Sequence, residues 1–123
     1  MHVDTLDHVG LNVRDLERSA EWYARVLGFE ILHKWTTTWM VGRPPVRLGL
    51  FLRPDAAPVE NLDQRLAITH FALATDAAGF EQAQARLREL GIAFDPPEDT
   101  GIAHAFFFHD PDGHEVEITT YHA

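Results

Sequence analysis

Two segments, Asp7-His8-Val9-Gly10-Leu11-Asn12-Val13 and Ile68-Thr69-His70-Phe71-Ala72-Leu73-Ala74, carry a His at the same step, separated by half of the 123-residue chain. Each is followed by an Asp (Asp15, Asp76), an amphipathic stretch, a Leu-Gly pair (Leu27-Gly28, Leu90-Gly91) and an apolar residue that opens an extended run. A unit written twice folds into two similar modules, so the order of elements in one half constrains the other. In the first stretch Leu16, Ala20, Tyr23 and Leu27 share one helical face, with Asp15 placed to cap the start and Gly28 to end it. In the second, Phe80, Ala83, Leu87 and Leu90 do the same between Asp76 and Gly91. Strands are predicted over residues 29–35, 39–41 and 46–53 in the first half and over 92–94, 103–109 and 115–121 in the second. Gly and Pro punctuation separates them. Each half therefore reads βαβββ, an α+β arrangement of two modules, about residues 4–53 and 66–121, joined by a linker over 54–65 within a single domain.

Strand alternation assigns the histidines a face. Val9, Leu11 and Val13 point one way, under the helix, and Leu6, His8, Gly10 and Asn12 point the other. In the second half Phe71 and Leu73 take the covered face and leave Ile68, His70, Ala72 and Ala74 opposite. The small neighbours Gly10, Ala72 and Ala74 leave room for a ligand. In the last strand Val116 and Ile118 suit a core, which puts Glu115, Glu117, Thr119 and Tyr121 on the other face. Two imidazoles and a carboxylate that converge make a metal site of the 2-His-1-carboxylate type. A lone His on a strand is ordinarily a hydrogen-bonded residue, and a lone Glu a solvated one; symmetric placement is what sets these apart. The chain has eight His and no Cys, so any metal is held by imidazole and carboxylate rather than thiolate. Ten basic residues against 19 acidic ones give a net charge of −9, which repels phosphate backbones and anionic lipid, so no nucleic-acid or membrane partner is expected. The opening MHVDTLDHVG has no basic region followed by an apolar run, and a cytoplasmic protein is expected.

These segments resemble the vicinal oxygen chelate superfamily, which includes glyoxalase I, extradiol dioxygenases, fosfomycin-resistance enzymes and bleomycin-binding proteins. The resemblance spans nearly the whole chain, and its most specific part is Phe106-Phe107-Phe108-His109-Asp110-Pro111-Asp112-Gly113-His114-Glu115-Val116-Glu117. An aromatic strand, an Asp-Pro-Asp-Gly turn and a Glu four residues past the Gly are a signature of that family. The resemblance implies paired βαβββ modules forming a cupped mixed sheet, with His8, His70 and Glu117 as ligands of a divalent metal, Fe(II) or Mn(II) ahead of Zn(II) or Ni(II). Glyoxalase I adds a fourth ligand from the last strand of the first module; here that strand reads Val46-Arg47-Leu48-Gly49-Leu50-Phe51-Leu52, with no donor. The fosfomycin enzymes place a Thr where this chain has Gly10 and use basic residues beyond the final ligand strand. The extradiol dioxygenases match the three-ligand set, but their acid/base His falls at Thr100 and their active-site Tyr at Phe107.

The expectation is thus an extradiol-dioxygenase-like enzyme acting on a small substrate that presents two adjacent oxygens. The alternative is a non-catalytic protein that sequesters an aromatic molecule, which the acidic surface suits. His104 is a candidate proton shuttle, or simply a polar residue alternating with Ala103 and Ala105. Tyr121 is a candidate hydrogen-bond donor on Glu117's face. Trp39, Phe51 and Phe107 are candidate walls of a substrate pocket. His33, His109, His114 and His122 read as surface residues. A cupped sheet of short strands leaves edges for a second copy to cover, so a homodimer is expected.

Overall fold

The computed structural model describes residues 1–123 and divides into two compact units, Met1–Ala57 and Pro58–Ala123. The first contains β1 (Val9–Val13), α1 (Leu16–Leu27), β2 (Glu30–Lys34), β3 (Thr38–Arg43) and β4 (Val46–Leu52). The second contains β5 (His70–Ala74), α2 (Ala77–Glu89), β6 (Glu98–Asp99), β7 (Ala103–His109) and β8 (Glu115–Tyr121). Each forms its own four-stranded mixed sheet, ordered β1-β4-β3-β2 and β5-β8-β7-β6. The first strand of each is parallel to the last, and the remaining pairs are antiparallel. The duplication read in the sequence is a duplication of topology.

Local chemistry sets the helix ends. Asp15 is extended and its carboxylate accepts from the Arg18 N–H, while Gly28 at φ 71° turns the chain out of α1. Asp76 caps α2 in the same way, accepting from the Gly79 N–H. α1 buries Leu16, Ser19, Ala20, Trp22, Tyr23 and Val26, and Tyr23 stacks on Phe29 at 6.1 Å. With Val13, Val41, Leu48 and Leu50 these make the first core. In the second unit Phe80 and Leu87 of α2 close over Phe106, Phe108, Val116 and Ile118. Phe106 has Phe80 on one side at 5.1 Å and Phe94 on another at 5.0 Å.

One predicted strand is absent. Residues 92–94 are irregular, and the short edge strand lies after the two prolines, at Glu98–Asp99. The Ile92 N–H returns to the Leu87 carbonyl to finish the helix, and Phe94 packs on Phe106 instead of pairing. Pro96 and Pro97 carry no N–H to extend a ladder.

The chain leaves β4 under restraint. The Arg53 N–H donates to the Val13 carbonyl, the Ala56 N–H to the Arg53 carbonyl, and Arg14 donates through Nε and a terminal nitrogen to the Ala56 carbonyl. Residues 54–65 otherwise contain one 3-10 turn, Leu62–Gln64.

Candidate metal centre

In the second unit the pairing register sorts the side chains. His70 lies opposite Glu115, Ala72 opposite Glu117, and Phe107 opposite Glu117 from the other side. Alternation therefore puts His70, Ala72, Glu115, Glu117 and Phe107 on one face and Val116, Ile118, Phe106 and Phe108 on the other, beneath α2. The turn between β7 and β8 holds this register. Asp110 is buried, and its Oδ1 accepts from the N–H groups of Asp112 and His114 at 3.0 and 2.9 Å. Gly113, at φ 92°, takes the left-handed step that returns the chain.

On the open face His70 Nε2 lies 3.2 Å from Glu117 Oε1. Two donors that share one metal ion, each about 2.0–2.1 Å from it, stand roughly 2.9–3.4 Å apart, so this pair has a ligand-pair spacing. His70 Nδ1 is 2.8 Å from Thr69 Oγ1. A hydroxyl both accepts and donates, so Thr69 holds the ring when the proton sits on Nδ1 and Nε2 keeps its lone pair for a cation. Glu115 is the second carboxylate here, 4.0 Å from His70 Nδ1 and 3.7 Å from His109 Nε2. Phe107 presents an edge to His70, centroid to centroid 5.7 Å.

In the first unit His8 precedes β1, and its Nδ1 meets Asp7 Oδ2 at 2.8 Å. A carboxylate only accepts, so Asp7 keeps the proton on Nδ1 and leaves Nε2 free. The room expected around Gly10 is occupied: Gly10 lies opposite Gly49, and a Cβ on either would come within 3.2 Å of the Phe51 ring. His8 lies beside them, its Cδ2 3.7 Å from where a Gly49 Cβ would be. The β4 residues on this face are Arg47, Gly49 and Phe51, none of them a metal donor.

Three expectations need correction. Trp39 pairs with Leu50, which puts it on the helix face, opposite Phe51; it lines a groove along α1 with Ala20, Ala24, Phe29 and Lys34, whose Nζ sits 4.3 Å above its ring. His104 alternates with Phe106 and Phe108 and so faces away from Glu117; its ring meets His122 at 4.6 Å. Tyr121 shares Glu117's face but lies four residues on, about 13 Å along the strand, with its ring in solvent, so it is not brought to Glu117. His122, read as a surface residue, is exposed and bonds Asp99. Sequence reasoning had given no role to Asp7 or Thr69. Their signal was present: each immediately precedes the repeated His, and each can hydrogen-bond.

The family described as Glyoxalase/Bleomycin resistance protein/Dioxygenase superfamily matches residues 5–118. A catechol-2,3-dioxygenase of Bacillus subtilis (strain 168) is 33% identical over 123 residues, which cover 96% of this chain and 42% of that protein, so this chain spans less than half of that relative. A glutathione transferase FosA of Serratia marcescens is 28% identical over 94% of this chain and 80% of its own length. The solved structure of a glyoxalase family protein from Enterococcus faecalis superposes with a TM-score of 0.83, covering 97% of this chain and 99% of that one at 24% identity.

Proposed function

Because the chain belongs to the Glyoxalase/Bleomycin resistance protein/Dioxygenase superfamily, we propose that it is an enzyme that holds a divalent metal through His8, His70 and Glu117 and binds a small substrate through two adjacent oxygens, in the manner of an extradiol dioxygenase. The observation that carries this is His70 Nε2 at 3.2 Å from Glu117 Oε1, with Nδ1 held from behind by Thr69. In the first unit the Asp7 carboxylate backs His8 Nδ1, which supports His8 Nε2 as a second imidazole donor. Neutral imidazoles and one carboxylate suit Fe(II) or Mn(II), with Zn(II) and Ni(II) also compatible. The bound ion would act as a Lewis acid on the substrate oxygens.

The side chains of the chain divide the remaining work. Glu117 brings the negative charge that offsets the cation. Phe107, a residue without a hydroxyl, offers an apolar edge beside His70, so a planar ring is oriented there by packing. Phe51 offers a second apolar surface beside His8. The absence of a donor at Arg47, Gly49 and Phe51 supports three protein ligands rather than the four of glyoxalase I. The similarity to a catechol-2,3-dioxygenase points the same way. The unpaired edges of two four-stranded sheets support assembly as a homodimer.

The test is metal content and metal-linked melting of anaerobically purified protein, wild type against Glu117→Ala, followed by a screen of catechols, hydroxyacids and oxo compounds. The expected result is near-stoichiometric Fe or Mn in the wild type and stabilisation by about 2.7 kcal/mol at free metal a hundredfold above Kd, both lost in the variant. Metal-free wild type unaffected by the substitution would overturn the metal site. Full occupancy without turnover across the screen would overturn the enzyme and leave a sequestering protein.

A further inference from the structure

A second group of metal-binding side chains lies at the outer edge of the second sheet, away from Glu117. Asp99 and His104 face each other across the β6–β7 ladder, and His122 follows β8 with its backbone N–H bonded to the Ile102 carbonyl at 2.9 Å. The ligand atoms of Asp99, His104 and His122 all lie within 4.8 Å of one another. His122 Nε2 is 3.0 Å from Asp99 Oδ1, again the spacing of two donors on one ion. The His104 and His122 rings meet edge to face at 4.6 Å, which brings two imidazoles together where a surface would ordinarily keep them apart.

We propose that Asp99, His104 and His122 form a second divalent-cation site, independent of the one at Glu117, which takes an imidazole-favouring first-row ion such as Zn(II). The chemistry of the donors supports this ion. Two imidazoles select Zn(II) over Mg(II) or Ca(II), and the carboxylate supplies the charge. The three donors are exposed, so small side-chain rotations close the remaining distance without disturbing a core. The backbone beneath is fixed: the Thr100 N–H donates to the Ala103 carbonyl at 2.9 Å, and the Gly101 N–H donates to Asp99 Oδ1 at 2.8 Å. An ion bound here ties the short edge strand β6, the start of β7 and the segment after β8 into one loop.

The experiment is Zn(II) titration by calorimetry on metal-free protein in which His70→Ala and Glu117→Ala remove the first site. One equivalent of Zn(II) is expected to remain. Adding His104→Gln and His122→Gln to that chain is expected to abolish it, and in the otherwise unaltered chain the same two changes are expected to remove one equivalent. Zn(II) is also expected to shift the imidazole resonances of His104 and His122, read by NMR in the chain lacking His70 and Glu117. Far-UV circular dichroism confirms that each variant is folded. Absence of bound Zn(II) in the His70→Ala/Glu117→Ala chain, or an equivalent that survives loss of both His104 and His122, overturns the proposal.

Discussion

Asp7 and Thr69 stand behind equivalent histidines, but they do not hold them alike. The Asp7 carboxylate accepts only, and so commits His8 to one tautomer, whereas the Thr69 hydroxyl serves either tautomer of His70. Removing the hydroxyl in Thr69→Val keeps the shape of the side chain and takes away the partner of Nδ1. Metal affinity is expected to fall by about 10- to 100-fold with unchanged secondary structure, measured by competition with a chelator. An affinity equal to that of the wild type would mean that Thr69 does not orient the ligand. The histidines themselves were legible in the sequence because they recur at one step of the repeat. Their partners were less so, since a residue one position upstream shows its hydrogen bond only when the local backbone is known.

At the scale of elements, the helices and the caps at Asp15 and Asp76 follow directly from period and composition, because burial of one helical face and satisfaction of the first N–H groups are local problems. The phase of a strand is a different matter. Alternation establishes which residues share a face, not which face the core takes. Across Phe106-Phe107-Phe108 an unbroken aromatic run hides that choice, and the position of His104 depended on it. Trp39 was misplaced for the same reason, since only its pairing with Leu50 sets its side. Residues 92–94 posed the related ambiguity of a short apolar run, which plugs a core as readily as it pairs. The β7–β8 turn is the element on which the site most depends. Asp110→Ala removes the carboxylate that accepts from the half-buried N–H groups of Asp112 and His114 and is expected to cost about 1 kcal/mol, measured by urea unfolding. A loss of metal affinity beyond that attributable to unfolding would further tie the turn to the placement of Glu117.

For the whole molecule, duplication extends to topology and not to chemistry. The first unit supplies His8 and an apolar cover over two glycines; the second supplies His70, Glu117, Glu115 and the edge cluster at Asp99. The acidic surplus of the chain favours cations at every one of these places. The segment that joins the units is unevenly secured. Arg53 donates its N–H to Val13 and accepts from Ala56, which Arg14 clamps in turn, whereas Arg65 makes a 3.3 Å bond inside a single 3-10 turn and is followed by the fully exposed Leu66. A protease needs an extended, unpaired stretch of backbone to enter its cleft. Trypsin is therefore expected to make its first cut after Arg65, read by mass spectrometry of a brief digest. Arg53 precedes Pro54 and is no trypsin site, so the restraint there is read with a protease of broad specificity, which is expected to spare residues 53–56 and to cut near Arg65. Susceptibility to nicking is thus concentrated on one side of the junction, and a cut there leaves the two halves of the duplication with unequal tails.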